Sequence, residues 1–112
     1  KGGEEFAVLE KEFSLDFSIP EKTNLFSNYP NPFSTYTNIS YQTSETGFVS
    51  LKIYDRDGFL VKTLVNDFQK SNYYNIDWHG DNDLGEKITG GKYILRMSLN
   101  NYTKSITIIV DK

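Results

Sequence analysis

The sequence predicts an all-β chain: an antiparallel β-sandwich of about seven strands. Three observations predict it. Apolar residues recur at every second position in one short segment after another, which is the signature of strands with one buried face. Clusters of Asn, Asp, Gly and Pro separate those segments. No segment holds helical spacing for long; Phe6, Leu9 and Phe13 do so only over a short stretch.

In chain order, Phe13, Leu15, Phe17 and Ile19 alternate with Ser14, Asp16 and Ser18, which predicts a first strand over 13–19. Pro20 ends it, because proline has no N–H to donate. Glu21 to Asn24 form a polar hinge. Residues 25–36 carry two prolines around Asn31. Each proline fixes its own φ and pushes its predecessor toward extended backbone, so this is a rigid corner. Ile39 and Tyr41 make the next strand, then Val49, Leu51 and Ile53. Asp55 to Gly58 form a tight turn with Gly58 at positive φ. Apart from Lys62 and Thr63, Phe59 to Val65 is apolar on both faces, which predicts a well-covered strand. Tyr74, Ile76 and Trp78 alternate next, and a polar loop runs from His79 to Gly91. Tyr93, Leu95, Met97 and Leu99 line the following strand. Asn100-Asn101 make a hairpin turn, since Asn tolerates the left-handed region. Ile106, Ile108 and Val110 form the last strand. Short strands with frequent turns pack best as two facing sheets, an immunoglobulin-like arrangement. The expected core anchors are Ile39, Leu51, Ile53, Ile76, Trp78, Leu95, Ile106 and Ile108.

Composition narrows the function. The chain has 112 residues, 38% of them hydrophobic and 15% aromatic, too apolar for a disordered segment. With no cysteine, it is not a disulfide scaffold. It has no apolar run of membrane-spanning length. A net charge of −3 argues against nucleic acid as a partner. One histidine and one methionine leave little for nucleophilic or metal chemistry, and no cofactor is expected. His79 beside Gly80 reads as a turn residue, because no Gly-x-Ser-x-Gly elbow accompanies it. These features point to a module rather than an enzyme. The first residue is Lys1, so the chain reads as part of a longer protein.

Three patterns admit a binding role. Asp55 and Asp57, and Asp81 and Asp83, sit in turns that are weak calcium candidates; neither completes the twelve-residue ligand spacing, and such residues favour turns for backbone reasons alone. Tyr73, Tyr74, Trp78, Tyr93 and Tyr102 suggest sugar stacking, but Tyr74, Trp78 and Tyr93 fall on the inward parity, leaving Tyr73 and Tyr102. Lys104 and Lys112 bracket the last strand. They guard an edge, or they flank an edge open to strand addition by a partner.

From Leu25 to Lys112 an ordered set of landmarks recurs. Asn28, Pro30, Asn31, Pro32 and Phe33 are followed by Thr37-x-Ile39, then Val49-x-Leu51-x-Ile53 and Gly58. Next come Trp78-x-Gly80, Gly85 and Gly91-x-Tyr93, with Lys104 and Lys112 near the end. The set resembles the C-terminal sorting domain of proteins exported by the type IX secretion system. It is also similar to the immunoglobulin-like domain of the flagellar hook-capping protein. Ser34, Thr35, His79 and Gly90 depart from the sorting pattern, all at turn positions. The resemblance implies a non-catalytic address at 25–112, with 1–24 as a linker or the end of an upstream domain. It implies an exported cargo linked upstream, carried through the periplasm to the cell surface. It also implies two partners, the outer-membrane translocon and a sortase-like surface peptidase that cuts near 20–27.

Overall fold

The computed structural model describes residues 19–112. The alternation at 13–18 lies outside them, and Ile19, its last member, is exposed and outside any strand. Seven strands follow: β1 (Asn24–Leu25), β2 (Thr37–Thr43), β3 (Gly47–Asp55), β4 (Leu60–Gln69), β5 (Asn72–Trp78), β6 (Gly91–Leu99) and β7 (Tyr102–Val110). No helix occurs among the described residues. The strands form a three-stranded sheet, β1-β2-β5, and a four-stranded sheet, β4-β3-β6-β7. Every pairing is antiparallel. This is the sandwich that the alternation predicts.

Period two sets the layers. In β2 every second residue is buried from Thr37 to Thr43, and β3 and β6 repeat the pattern. The core is Leu25, Phe33, Ile39, Tyr41, Val49, Leu51, Ile53, Trp78, Tyr93, Leu95, Met97, Leu99, Ile108 and Val110. Ile76 and Ile106, expected as core anchors, are only half buried and pack against its rim. Both lie on strands at a sheet margin, β5 and β7, whose fully buried members are Trp78, Ile108 and Val110.

The larger correction concerns Phe59 to Val65. This stretch is not well covered: Phe59 is 70% and Leu60 49% exposed, and Val61 to Val65 are half buried. β4 is an edge strand, and its register against β3 breaks at Leu51/Lys52 and at Ile53/Tyr54. Such irregularities spoil an edge for further pairing. A two-faced apolar run was therefore the mark of a disrupted edge, not of a central strand. The polar hinge also differs. Asn24 pairs with Gln42 and Leu25 with Tyr41, and Leu25 is wholly buried.

Two turns behave as their residues require. Gly58 closes the β3–β4 turn at φ 90°, and Asn100 opens the β6–β7 hairpin at φ 53°.

Tyr41 adds a pH dependence. Its ring stacks on Tyr74 with centroids 5.1 Å apart, and its hydroxyl donates to Gln69 Oε1 at 2.8 Å. Burial is the main cause that raises its pKa above 10.0; Gln69 opposes the rise and Tyr74 adds to it. The folded chain therefore holds this proton more tightly than the unfolded chain. The stabilisation is complete below pH 10 and is lost as pH climbs through the raised value. Melting temperature should fall in that alkaline window, and Tyr41→Phe should flatten the fall. An identical slope in both proteins would refute this assignment.

Candidate functional site

The proline corner between β1 and β2 is where the sequence landmarks converge. Proline lacks an N–H, so a corner with Pro30 and Pro32 must find ladder partners elsewhere. Side chains supply them. Asn28 is buried, and its Nδ2 donates to Thr37 Oγ1 at 2.9 Å. Thr37 Oγ1 in turn donates to the Pro30 carbonyl at 2.7 Å. Backbone bonds between Tyr29 and Asn38, 3.0 and 2.8 Å long, tie the corner to β2. Both Tyr29-Pro30 and Asn31-Pro32 are cis.

The corner then grips the other sheet. Asn31 Nδ2 donates to the Thr107 carbonyl at 3.1 Å, and its Oδ1 accepts from Ile109 N–H at 2.9 Å. A carboxamide carries one acceptor and two donors, so it imitates a peptide group of a neighbouring strand. Real backbone continues the imitation. Phe33 N–H donates to the Ile109 carbonyl at 3.0 Å, and Asp111 N–H donates to the Phe33 carbonyl at 2.7 Å. The outer edge of β7 is thus filled from Thr107 to Asp111. Nearer its start, Tyr102 Oη accepts from Leu25 N–H at 3.0 Å, and Lys104 Nζ donates to Asn24 Oδ1 at 3.0 Å. The last strand is therefore not an open edge over its final residues, and strand addition there would require removing the corner.

Under the corner lies an aromatic stack. The Phe33 and Trp78 rings are 5.4 Å apart and tilted by 59°; Trp78 and Tyr93 are 6.0 Å apart and nearly edge-on. Polar ends are satisfied: Trp78 Nε1 donates to the Asp81 carbonyl and Tyr93 Oη to that of Thr89. Gly80, at φ 71°, passes beside Phe33, where an added Cβ would stand 3.5 Å from the ring. Lys112 Nζ approaches the same glycine. Gly91 opens β6 opposite Val110.

The structure thus gathers Asn28, Pro30, Asn31, Pro32, Phe33, Trp78, Gly80, Gly91, Tyr93 and Lys112 around one clasp. It does not bring Gly58, Gly85 or Lys104 there. Gly58 and Gly85 shape open turns, and Lys104 reaches β1. Gly90, a departure from the sorting pattern, runs its backbone tight against the end of β7: a Cβ would lie 3.1 Å from the Val110 carbonyl. The missed role is that of the Asn31 side chain. A lone carboxamide between two prolines was the available signal.

The acidic turns do structural work. Asp55 Oδ1 accepts from the N–H groups of Asp57 and Phe59. Asp81 pairs with Lys62 at 3.2 Å, and Asp83 Oδ1 accepts from Thr63 N–H. Among the described residues no three metal-binding side chains come together. Tyr73 is exposed, but half-buried Tyr102 spends its hydroxyl on β1, so the two do not make a sugar-stacking pair. His79 is exposed with its ring 6.2 Å from that of Tyr36. No helix is long and apolar enough to cross a membrane among the described residues.

Comparison with solved structures gives likenesses of fold. PorZ of Porphyromonas gingivalis, an essential bacterial surface component of its type-IX secretion system, matches with TM-score 0.56 and 20% identity over 80% of this chain. FlgD of Xanthomonas campestris, concerned with hook capping in flagellar assembly, matches with TM-score 0.52 and 17% identity over 81%. Truncated FlgD of Helicobacter pylori matches with TM-score 0.50 and 24% identity over 80%. The chain spans 12% of the PorZ chain, 63% of the Xanthomonas FlgD chain and 68% of the Helicobacter one. Comparison with curated protein sequences gives no match. The model of the FlgD Ig-like domain matches residues 32–102, from the clasp to the start of β7 and more than half of the sequence. The chain therefore belongs to the family of FlgD Ig-like domains.

Proposed function

We propose that the chain is a non-catalytic address module, which directs a covalently linked upstream cargo across the outer membrane through the type IX secretion system. One observation carries the reading. The Asn28–Phe33 corner and the last strand, with Lys104 and Lys112 at its two ends, are the first and last landmarks of the resemblance. They lie 76 and 78 residues apart at the Asn31 contacts, yet they are a single hydrogen-bonded unit. A receptor could read both at once, and only in the folded module. The likeness to PorZ, itself a surface component of that system, agrees with this setting. The partners are the outer-membrane translocon and a sortase-like surface peptidase. The module passes through the periplasm and ends at the cell surface or beyond. Within 20–27, Glu21, Lys22, Phe26 and Ser27 are exposed, but Leu25 is buried and paired and Phe26 N–H is bonded to β2, so Glu21 and Lys22 are the exposed residues ahead of the sheet. A peptidase needs extended, accessible chain, so its cut falls on the Glu21–Lys22 side.

The test fuses residues 1–112 to a folded reporter in a host that has the system. The reporter should reach the surface. Asn31→Ala should reduce delivery while circular dichroism still reports a folded sandwich. Periplasmic retention of the unaltered fusion would overturn the reading. It would favour the alternative that the family match supports, a structural or adhesive immunoglobulin-like module comparable to the hook-capping domain.

A further inference from the structure

The two sheets have four outer edges, and they are not treated alike. The first sheet ends on one side in β1, only two residues long and tied to β7 by Leu25 N–H on Tyr102 Oη; past it, Phe26 N–H on the Ser40 carbonyl and Tyr29 on Asn38 cover the rest of β2. β7 is filled from Thr107 to Asp111 by the clasp, and Lys104 sits in the remainder. β4 carries two register breaks and Lys62, and Asp83 covers both the Val61 carbonyl and Thr63 N–H. β5 carries none of these devices. Its seven residues, Asn-Tyr-Tyr-Asn-Ile-Asp-Trp, include no Pro, Gly or Lys, and they pair with β2 without a break. Edges left in that state are templates for another strand.

The register shows which groups face out. Asn38 and Ser40 turn their backbone groups toward β1, so Ile39 and Tyr41 turn theirs toward β5. Tyr74, Ile76 and Trp78 therefore bond inward to β2, and Tyr73, Asn75 and Asp77 point N–H and C=O away from the sheet. Tyr73 N–H is held by Asn72 Oδ1. Among the described residues, nothing bonds to the backbone groups of Asn75 and Asp77 on that side.

We infer that β5 pairs antiparallel with β5 of a second copy of this chain, about a two-fold axis through Asn75. The strand is complementary to itself in that register. Asn75 meets Asn75 of the second copy in a hydrogen-bonded pair; on either side Tyr73 meets Asp77, whose N–H reaches the Tyr73 carbonyl while Tyr73 N–H keeps its bond to Asn72. The half-buried Tyr74 and Ile76 stand opposite one another, an aromatic beside a β-branched residue. No like charges face each other, since the sole charge, Asp77, lies opposite Tyr73. The result is a continuous six-stranded sheet from two three-stranded ones. An isologous contact of this kind closes on itself and stops at two copies.

Sedimentation equilibrium on the whole 112-residue chain tests it. The wild type should show concentration-dependent dimers. Asn75→Lys and Asn75→Asp each place like charges on the axis and should weaken self-association by about fivefold or more. An equimolar mixture of the two should restore dimers. Asn75→Pro removes an N–H that β2 does not use, so it should give a folded monomer. The inference is overturned if the wild type stays monomeric at millimolar concentration. It is equally overturned if the Asn75 and Asp77 amides resist hydrogen exchange in the monomer, because the chain would then cover its own edge. Dimers that survive all three substitutions, or a mixture that stays monomeric, would also overturn it.

Discussion

Trp78→Ala should remove about 3–5 kcal/mol of stability, the usual cost of deleting a large buried aromatic. The indole is 1% exposed and touches both Phe33 and Tyr93. No disulfide or described metal cluster compensates. Alanine would leave a void between the corner and β6 and would strand the Asp81 carbonyl that Nε1–H now satisfies. A domain of this size has only about 5–15 kcal/mol to lose. The denaturant midpoint should therefore drop sharply, with the slope unchanged if unfolding stays two-state. A midpoint equal to that of the wild type would contradict the placement of Trp78 at the centre of the stack.

Phe33→Ala should cost a similar amount, roughly 3–5 kcal/mol. Phe33 is 2% exposed, so the loss is that of a core residue although it stands outside every strand. Its effect should spread in a particular direction. The Phe33 backbone holds Ile109 and Asp111, so a displaced Phe33 should speed hydrogen exchange at Asp111 while β2 and β3 stay protected. A double-mutant cycle with Trp78→Ala should reveal a coupling of about 0.5–1.5 kcal/mol, the worth of one aromatic pair. Strict additivity would mean that the two rings do not support each other.

These two residues also show what the sequence could and could not convey. Trp78 was legible as a core anchor because it closes an alternating run, and period two alone assigns its face. Leu51, Ile53 and Leu95 were legible for the same reason. Ile76 and Ile106 carry the same alternation but stand near sheet margins, and periodicity says which way a side chain points without saying how far the opposite layer extends. Phe59 to Val65 misled in a related way. Its apolar residues on both sides of Lys62 and Thr63 match a covered strand, whereas the register breaks against β3 turn residues to both faces of an exposed edge. Of the clasp, the composition of the corner was legible and its destination was not. A partner 78 residues away leaves no local trace. Leu25 was hidden likewise: a two-residue strand is too short to show a period.

The hold of Asn31 on Thr107 and Ile109 bears on biosynthesis. Residues 28–33 leave the ribosome long before their counterparts, so the nascent polypeptide cannot seal this seam early. Distant pairings of this kind slow the approach to the native state. A chain broken off anywhere ahead of residue 107 would possess the corner but never its mate. Completion of the seam thus distinguishes a polypeptide translated through residue 111 from one broken off before it.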